Sequence, residues 1–294
     1  MLVWLNGRFL PARDARVSAL DRGLLHGDGA YDTWRTYGGV PFATAAHLRR
    51  LASAARVLRL PAPGPAGQWE RRARLLVARS GMSDAALRLT VTRGAAGEAL
   101  APGEALAPGG HARPTLLLTA RRLPAHLGER QAHGVPAVLL PFPRDAGPPW
   151  GGWKLVGHAS AVVGRAIASR RGAAEGLYVT PAREVTEATA ANVFLVERTA
   201  LVTPPLGSGI LPGVTRALVI RLARRAGLRV REERVTVARI RRAREIFLTA
   251  STIEVLPVVR LDGRAVGRGH PGPVTRRLQS AYAAHVAAAL RGAR

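Results

Sequence analysis

The chain has 294 residues, 47% of them hydrophobic, which suits about two domains with buried cores and excludes disorder as its main state. It has no cysteine, so disulfide frameworks, thiolate metal sites and a cysteine nucleophile are excluded. A formal net charge of +25 ordinarily points to nucleic acid. Here, however, 43 of the 44 basic residues are arginine, spread along the chain in short clusters such as Arg71-Arg72 and Arg241-Arg242. Arg, Ala, Gly and Pro share GC-rich codons, so compositional drift explains much of the charge. A basic nucleic-acid-binding protein stands as the alternative from a different class. No apolar run approaches the ~18 residues of a membrane span, and Asn6-Gly7 breaks the early one. A cytoplasmic chain with neither membrane nor nucleic-acid partner is expected.

In chain order, Leu2–Phe9 reads as a hairpin around Asn6-Gly7. Helical spacing of Leu48, Leu51, Ala55 and Leu58 predicts a helix over 44–59, ended by Pro61. A second helix is predicted over 68–80, stopped by Gly81, and strands over 86–93 and 115–122. Between those strands Glu-Ala-Leu-Ala-Pro-Gly occurs twice, at 98–103 and 104–109, and is expected to be an exposed loop. A small N-terminal domain is placed at 1–121, a connection at 122–133 and a larger domain at 134–294. The second domain is predicted to hold a strand at 135–142 and a helix opened by Lys154 and running to 171. Strands follow at 176–180, 192–197 and 200–203, then a helix at 214–226. Further strands at 229–237, 245–249 and 255–261 precede a closing helix at 273–290. Interleaved strands and helices make the class mixed α and β, in two domains.

The histidines have no metal-ligand spacing, and neither a phosphate-loop pattern nor a Gly-x-Ser-x-Gly elbow is present, so no metal is expected. Lys154 is the one lysine of the chain. A guanidinium is always protonated, whereas a desolvated amine can be neutral and attack a carbonyl, so lysine persists where arginine cannot substitute. Chance survival on a solvated face is the alternative. Pro212-Gly213 before a helical pattern offers Val214 and Thr215 as an anion cradle, or an ordinary helix start. Glu187, among small residues, is either a buried, partnered carboxylate or an exposed turn acid. Arg50 suits a bidentate phosphate contact or a solvated helix face. Ser251 follows an apolar strand and either donates to a ligand or forms a turn.

Taken together, these pieces resemble the class IV (fold type IV) pyridoxal-phosphate aminotransferases, a family with branched-chain and D-amino-acid aminotransferases and aminodeoxychorismate lyase. The resemblance spans nearly the whole chain: Asn6-Gly7, Asp21-Arg22-Gly23 through Tyr31, His47 to Leu51 with Ser53-Ala54, Lys154, Glu187 with Asn192, Thr203-Pro204-Pro205, Leu211 to Arg216, and Glu245 to Ser251. It implies a two-domain fold type IV enzyme with pyridoxal 5'-phosphate between the domains. Lys154 would carry the cofactor aldehyde as a Schiff base and shuttle a proton at the substrate Cα. Glu187 would pair with the pyridine nitrogen. Arg50, Val214, Thr215 and Ser251 would hold the phosphate, and Leu211 would pack on the ring.

A homodimer acting on an amino donor and a keto-acid acceptor is implied, with an aminodeoxychorismate-lyase-like release of pyruvate and p-aminobenzoate as the nearest alternative. Departures concern the substrate side. Gly157-His158 stands where relatives usually have Asn followed by Tyr, Arg or an apolar residue; His158 either bonds the cofactor phenolate or packs. The duplicated hexapeptide falls in the loop that in relatives reads the substrate carboxylate. Tyr31, Trp34 and Arg35 are expected to line the substrate side.

Overall fold

A computed structural model describes residues 1–95, 113–144, 150–198 and 200–292, so the duplicated hexapeptide at 98–109 lies outside the described residues. The chain divides into two units, Met1–Leu123 with Trp153–Gly157, and Pro124–Gly152 with His158–Arg294.

The first unit runs β1 (Leu2–Leu5), β2 (Arg8–Pro11), α1 (Arg22–Leu25), β3 (Gly29–Tyr37), β4 (Val40–Pro41), α2 (Thr44–Val57), α3 (Ala66–Arg79), β5 (Ala85–Thr92) and β6 (Thr115–Arg122). Its sheet has the order β2-β1-β6-β5-β3-β4. The hairpin forms as expected, because Asn6 and Gly7 take φ of 45° and 99° and let Leu5 pair with Arg8. The long strand β3 gives no alternating apolar signal in the sequence. Its inward side chains are Ala30, Asp32, Trp34 and Thr36, all fully buried, so two of the four core positions are polar. Against that face pack Leu48, Leu51 and Ala55 of α2 and Trp69, Ala73 and Leu76 of α3. Trp4 meets Trp69 edge-on at 5.1 Å, and the Trp69 indole N–H donates to the Pro63 carbonyl at 2.5 Å.

The second unit runs α4 (Leu127–His133), β7 (Val135–Leu139), α5 (Ala159–Arg170), β8 (Glu175–Val179), β9 (Glu184–Ala188), β10 (Asn192–Val196), β11 (Leu201–Thr203), α6 (Val214–Arg225), β12 (Val230–Glu232), β13 (Val235–Thr236), α7 (Val237–Arg241), β14 (Glu245–Ala250), β15 (Glu254–Leu261), β16 (Arg264–Ala265) and α8 (Pro273–Arg291). Its main path is β12-β11-β10-β14-β15-β7-β8-β9-β13, with β16 paired to β15. Pairing is parallel at β15–β7, β7–β8 and β11–β12. One face buries Leu177, Val193, Leu195, Ile246 and Leu248 with Val235 and Ile240. At about 1.5–3 kcal/mol for each fully buried aliphatic side chain, this layer is the main favourable term for the unit.

Two boundaries differ from expectation. Lys154 does not open a helix, and its segment belongs to the first unit rather than to the larger domain. The Tyr31 amide donates to the Lys154 carbonyl at 2.9 Å and the Val156 amide to the Gly29 carbonyl at 2.9 Å. The segment is therefore extended along the edge of β3, and α5 starts only at Ala159. Residues 124–133 form no simple connection either, since α4 belongs to the second unit. Proximity along the chain misassigns both, because backbone bonding to a distant strand decides them.

Candidate active site

In the first unit β3 presents a different set of side chains on each face. Tyr31 lies on the face opposite Asp32 and Trp34, and its ring has the Lys154 ammonium 4.5 Å and the Arg88 guanidinium 3.7 Å from its centroid. The β3–β5 register puts Thr33 opposite Arg88, which is why Arg88 shares the face of Tyr31. Arg88 also donates from Nε to the Thr90 hydroxyl at 3.2 Å. Burial pushes its pKa down.

On the inward face Asp32 gathers a polar cluster. Arg50 donates to it from Nε at 2.8 Å and from Nη2 at 2.7 Å, and His47 approaches through Nδ1 at 2.9 Å. The Thr33 amide donates to it at 2.6 Å. Asp32 is fully buried and the Arg50 side chain is only 10% exposed. Burial alone would raise the Asp32 carboxyl, but the charge of Arg50, with the His47 and Arg50 hydrogen bonds, outweighs it and holds the group below the usual carboxylate range. For His47 burial dominates and lowers the pKa, against the pull of Asp32. Arg50 is thus a clamped cation, not a solvated one.

In the second unit Glu187 and Asn192 lie on β9 and β10, strands consecutive in the chain, and both are buried. The Glu187 carboxylate accepts from the Asn192 side chain at 3.1 Å and from the Leu211 amide at 3.1 Å, and it is ion-paired to Arg144. Asn192 also donates to the Leu211 carbonyl at 2.9 Å, which fixes Leu211 by both its backbone groups. Immediately beyond, Gly213 precedes α6 without a side-chain cap. The first-turn amides of a helix have no acceptor within it, so Val214 and Thr215 present donors and the positive end of the helix dipole. A Cβ at residue 213 would overlap the Asn192 Oδ1 atom, so glycine is required by close approach rather than by backbone angle. Ser251 begins the short turn between β14 and β15.

The structure thus brings Lys154 to Tyr31 in one unit, and Glu187 to Asn192, Leu211 and the start of α6 in the other. It does not bring Tyr31, Trp34 and Arg35 together. Trp34 is fully buried on the opposite face, stacked on His47 at 6.0 Å, because successive residues of a strand face opposite ways. Arg35 leans over the Tyr37 ring at 4.1 Å and reaches Asp84 at 3.7 Å. His158 is the residue that precedes α5. Glu187 is not an exposed turn acid but a partnered strand residue.

Sequence reasoning missed Asp32, Arg88 and Arg144. An acid inside an aromatic-rich stretch was a usable signal for Asp32. Nothing in the sequence separates Arg88 and Arg144 from the other arginines, since only strand register and tertiary contact single them out.

The family model for class IV aminotransferases matches residues 29–261, and the chain belongs to that family. It is an aminotransferase, an enzyme that moves an amino group between an amino acid and a keto acid. It is 32% identical over 282 residues to a provisionally named branched-chain-amino-acid aminotransferase of Methanocaldococcus jannaschii, covering 96% of this chain and 95% of that one. It is 31% identical over 287 residues to the D-alanine aminotransferase of Bacillus licheniformis, covering 96% and 95%. The solved structure of the Escherichia coli branched-chain amino acid aminotransferase superposes with a TM-score of 0.86 at 27% identity, covering 95% of this chain and 92% of that one. The mixed α and β architecture is that of the fold type IV aminotransferases. Among the described residues no helix is long and apolar enough to cross a membrane.

Proposed function

We propose that this aminotransferase works with pyridoxal 5'-phosphate, attached through Lys154. The observation that carries the reading is the chain's one lysine, held by its backbone along β3 with its amine over Tyr31. The residues present fit the group. Glu187 is a buried carboxylate suited to a protonated ring nitrogen, and the start of α6 behind Gly213 has no side-chain cap and suits an anion. The cofactor, when bound, supplies an electron sink for the carbanion formed at the substrate Cα.

The chain's own groups do the rest. Lys154 anchors the cofactor and carries the proton to and from the substrate Cα. Glu187 keeps its counterpart nitrogen charged, with Asn192 and the Leu211 amide fixing the carboxylate. Val214, Thr215, Ser251 and Arg50 bind the phosphate, Arg50 being held ready by Asp32. Leu211 packs on the ring and His158 serves its phenolate. Tyr31 and Arg88 receive the carboxylate of the amino or keto acid, a role for which Arg88 supplies the partly buried cation. The working form is a homodimer.

The test is borohydride reduction of protein loaded with pyridoxal phosphate, followed by peptide mass spectrometry. The adduct is expected on Lys154, and Lys154→Ala is expected to lose both the visible absorbance band and amino transfer. An adduct on the N-terminus, or full activity in Lys154→Ala, overturns the reading. Spectral titration of the holoenzyme with L- and D-amino acids and small amines then identifies the donor.

A further inference from the structure

The five residues that join β14 to β15, Ala250 to Glu254, close as a turn with Ala250 opposite Glu254 and with the Ile253 amide donating to the Ala250 carbonyl at 3.2 Å. Glu254 takes φ of +56°, a left-handed conformation that is uncommon for a residue with a Cβ and has to be stabilised by its surroundings. Ile253 packs against the core. A cavity of about 290 Å³ is lined by Gln131, Glu254, Gln279 and Tyr282 among others. Hydrogen bonds tie the turn to the two helices beside it. The Gln131 side-chain amide of α4 donates to the Ile253 carbonyl at 3.1 Å and to the Glu254 carboxylate at 3.1 Å. Gln279 of α8 donates to the Gln131 carbonyl at 2.9 Å and to the Val255 carbonyl at 3.1 Å.

We infer that Gln131, braced by Gln279, is a positioning residue that holds the Ser251 turn in its cofactor-binding shape by pinning the left-handed Glu254. This rests on the proposed phosphate role of Ser251. One amide bridges a main-chain carbonyl and a side-chain carboxylate two and three residues beyond Ser251, so it fixes both the path and the twist of the turn. Without it the turn loses one hydrogen bond at the Ile253 carbonyl and one at the Glu254 carboxylate, and it relaxes toward conformations in which the Ser251 hydroxyl is displaced. The required geometry is narrow, since a displacement of about 1 Å removes a hydrogen bond.

The experiment measures pyridoxal phosphate affinity by absorbance titration of cofactor-stripped full-length protein, together with the phosphorus NMR shift of the bound phosphate. Gln131→Ala is expected to weaken the cofactor about tenfold, the equivalent of one to two net hydrogen bonds, and to move the phosphorus resonance. In a Glu254→Gly background, where glycine accepts positive φ freely, Gln131→Ala is expected to change affinity less than twofold. Gln131→Glu, which cannot donate to the carbonyl, is expected to resemble Gln131→Ala. An unchanged affinity and phosphorus shift in Gln131→Ala, whether or not the melting temperature falls, overturns the inference. So does an equal tenfold loss in both backgrounds. Failure of wild-type protein to bind the cofactor counts instead against the proposed function.

Discussion

Replacing Asp32 by Asn keeps the volume of the side chain but removes the charge that Arg50 and His47 share. The Arg50 guanidinium is then left in a site where its side chain is 10% exposed, against a partner that had been completely buried. With so little solvent to screen it, the loss belongs to the buried class of ion pairs, for which removing one partner costs about 3–5 kcal/mol. The Asn amide cannot accept both Arg50 donors as the carboxylate does at 2.8 and 2.7 Å. Urea unfolding of the cofactor-free protein followed by tryptophan fluorescence measures the cost. Trp4, Trp34, Trp69 and Trp153, four of the five tryptophans, lie in the unit that contains the pair. Adding Arg50→Met to Asp32→Asn removes the stranded cation and is expected to recover part of the stability. A loss below about 1 kcal/mol for Asp32→Asn, or a double variant weaker than the sum of the single ones, refutes the argument that Asp32 serves to hold Arg50.

Acid is expected to unfold the first unit in two steps. His47 has its pKa lowered by burial from the ordinary 6.5, so the unfolded chain binds the extra proton and stability falls as the pH drops through about 6.5. Asp32 is lowered from the ordinary 3.8, so its contribution, complete above that pH, is lost as the pH falls further. Urea midpoints between pH 8 and 3 show both, and His47→Gln should flatten the upper one. Gly213→Ala, which sets a methyl against Asn192, is expected to weaken pyridoxal phosphate binding about tenfold or more, read by absorbance titration. Leu89→Ala, at a fully buried site of the first core, is expected to cost about 2–5 kcal/mol in urea while the folded protein keeps its pyridoxal phosphate affinity.

Much of the architecture follows from local signals. The Asn-Gly hairpin, the helices α2, α3, α6 and α8, and the apolar strands β5, β6, β10 and β14 each carry a period or a stop that nearest neighbours settle. Lys154 stands out as the one lysine of the chain, and Gly213 as the glycine that precedes α6. The sequence by itself therefore determined the family and, with it, the aminotransferase chemistry. Tertiary structure alone decided which unit holds Lys154, because two backbone hydrogen bonds to a strand more than a hundred residues earlier override chain proximity. It also decided the face of Trp34, the clamp of Asp32 on Arg50, and the choice of Arg88 and Arg144 from among the chain's 43 arginines. Strand alternation and register assign those positions, and a charge becomes specific when burial fixes the few partners it can reach.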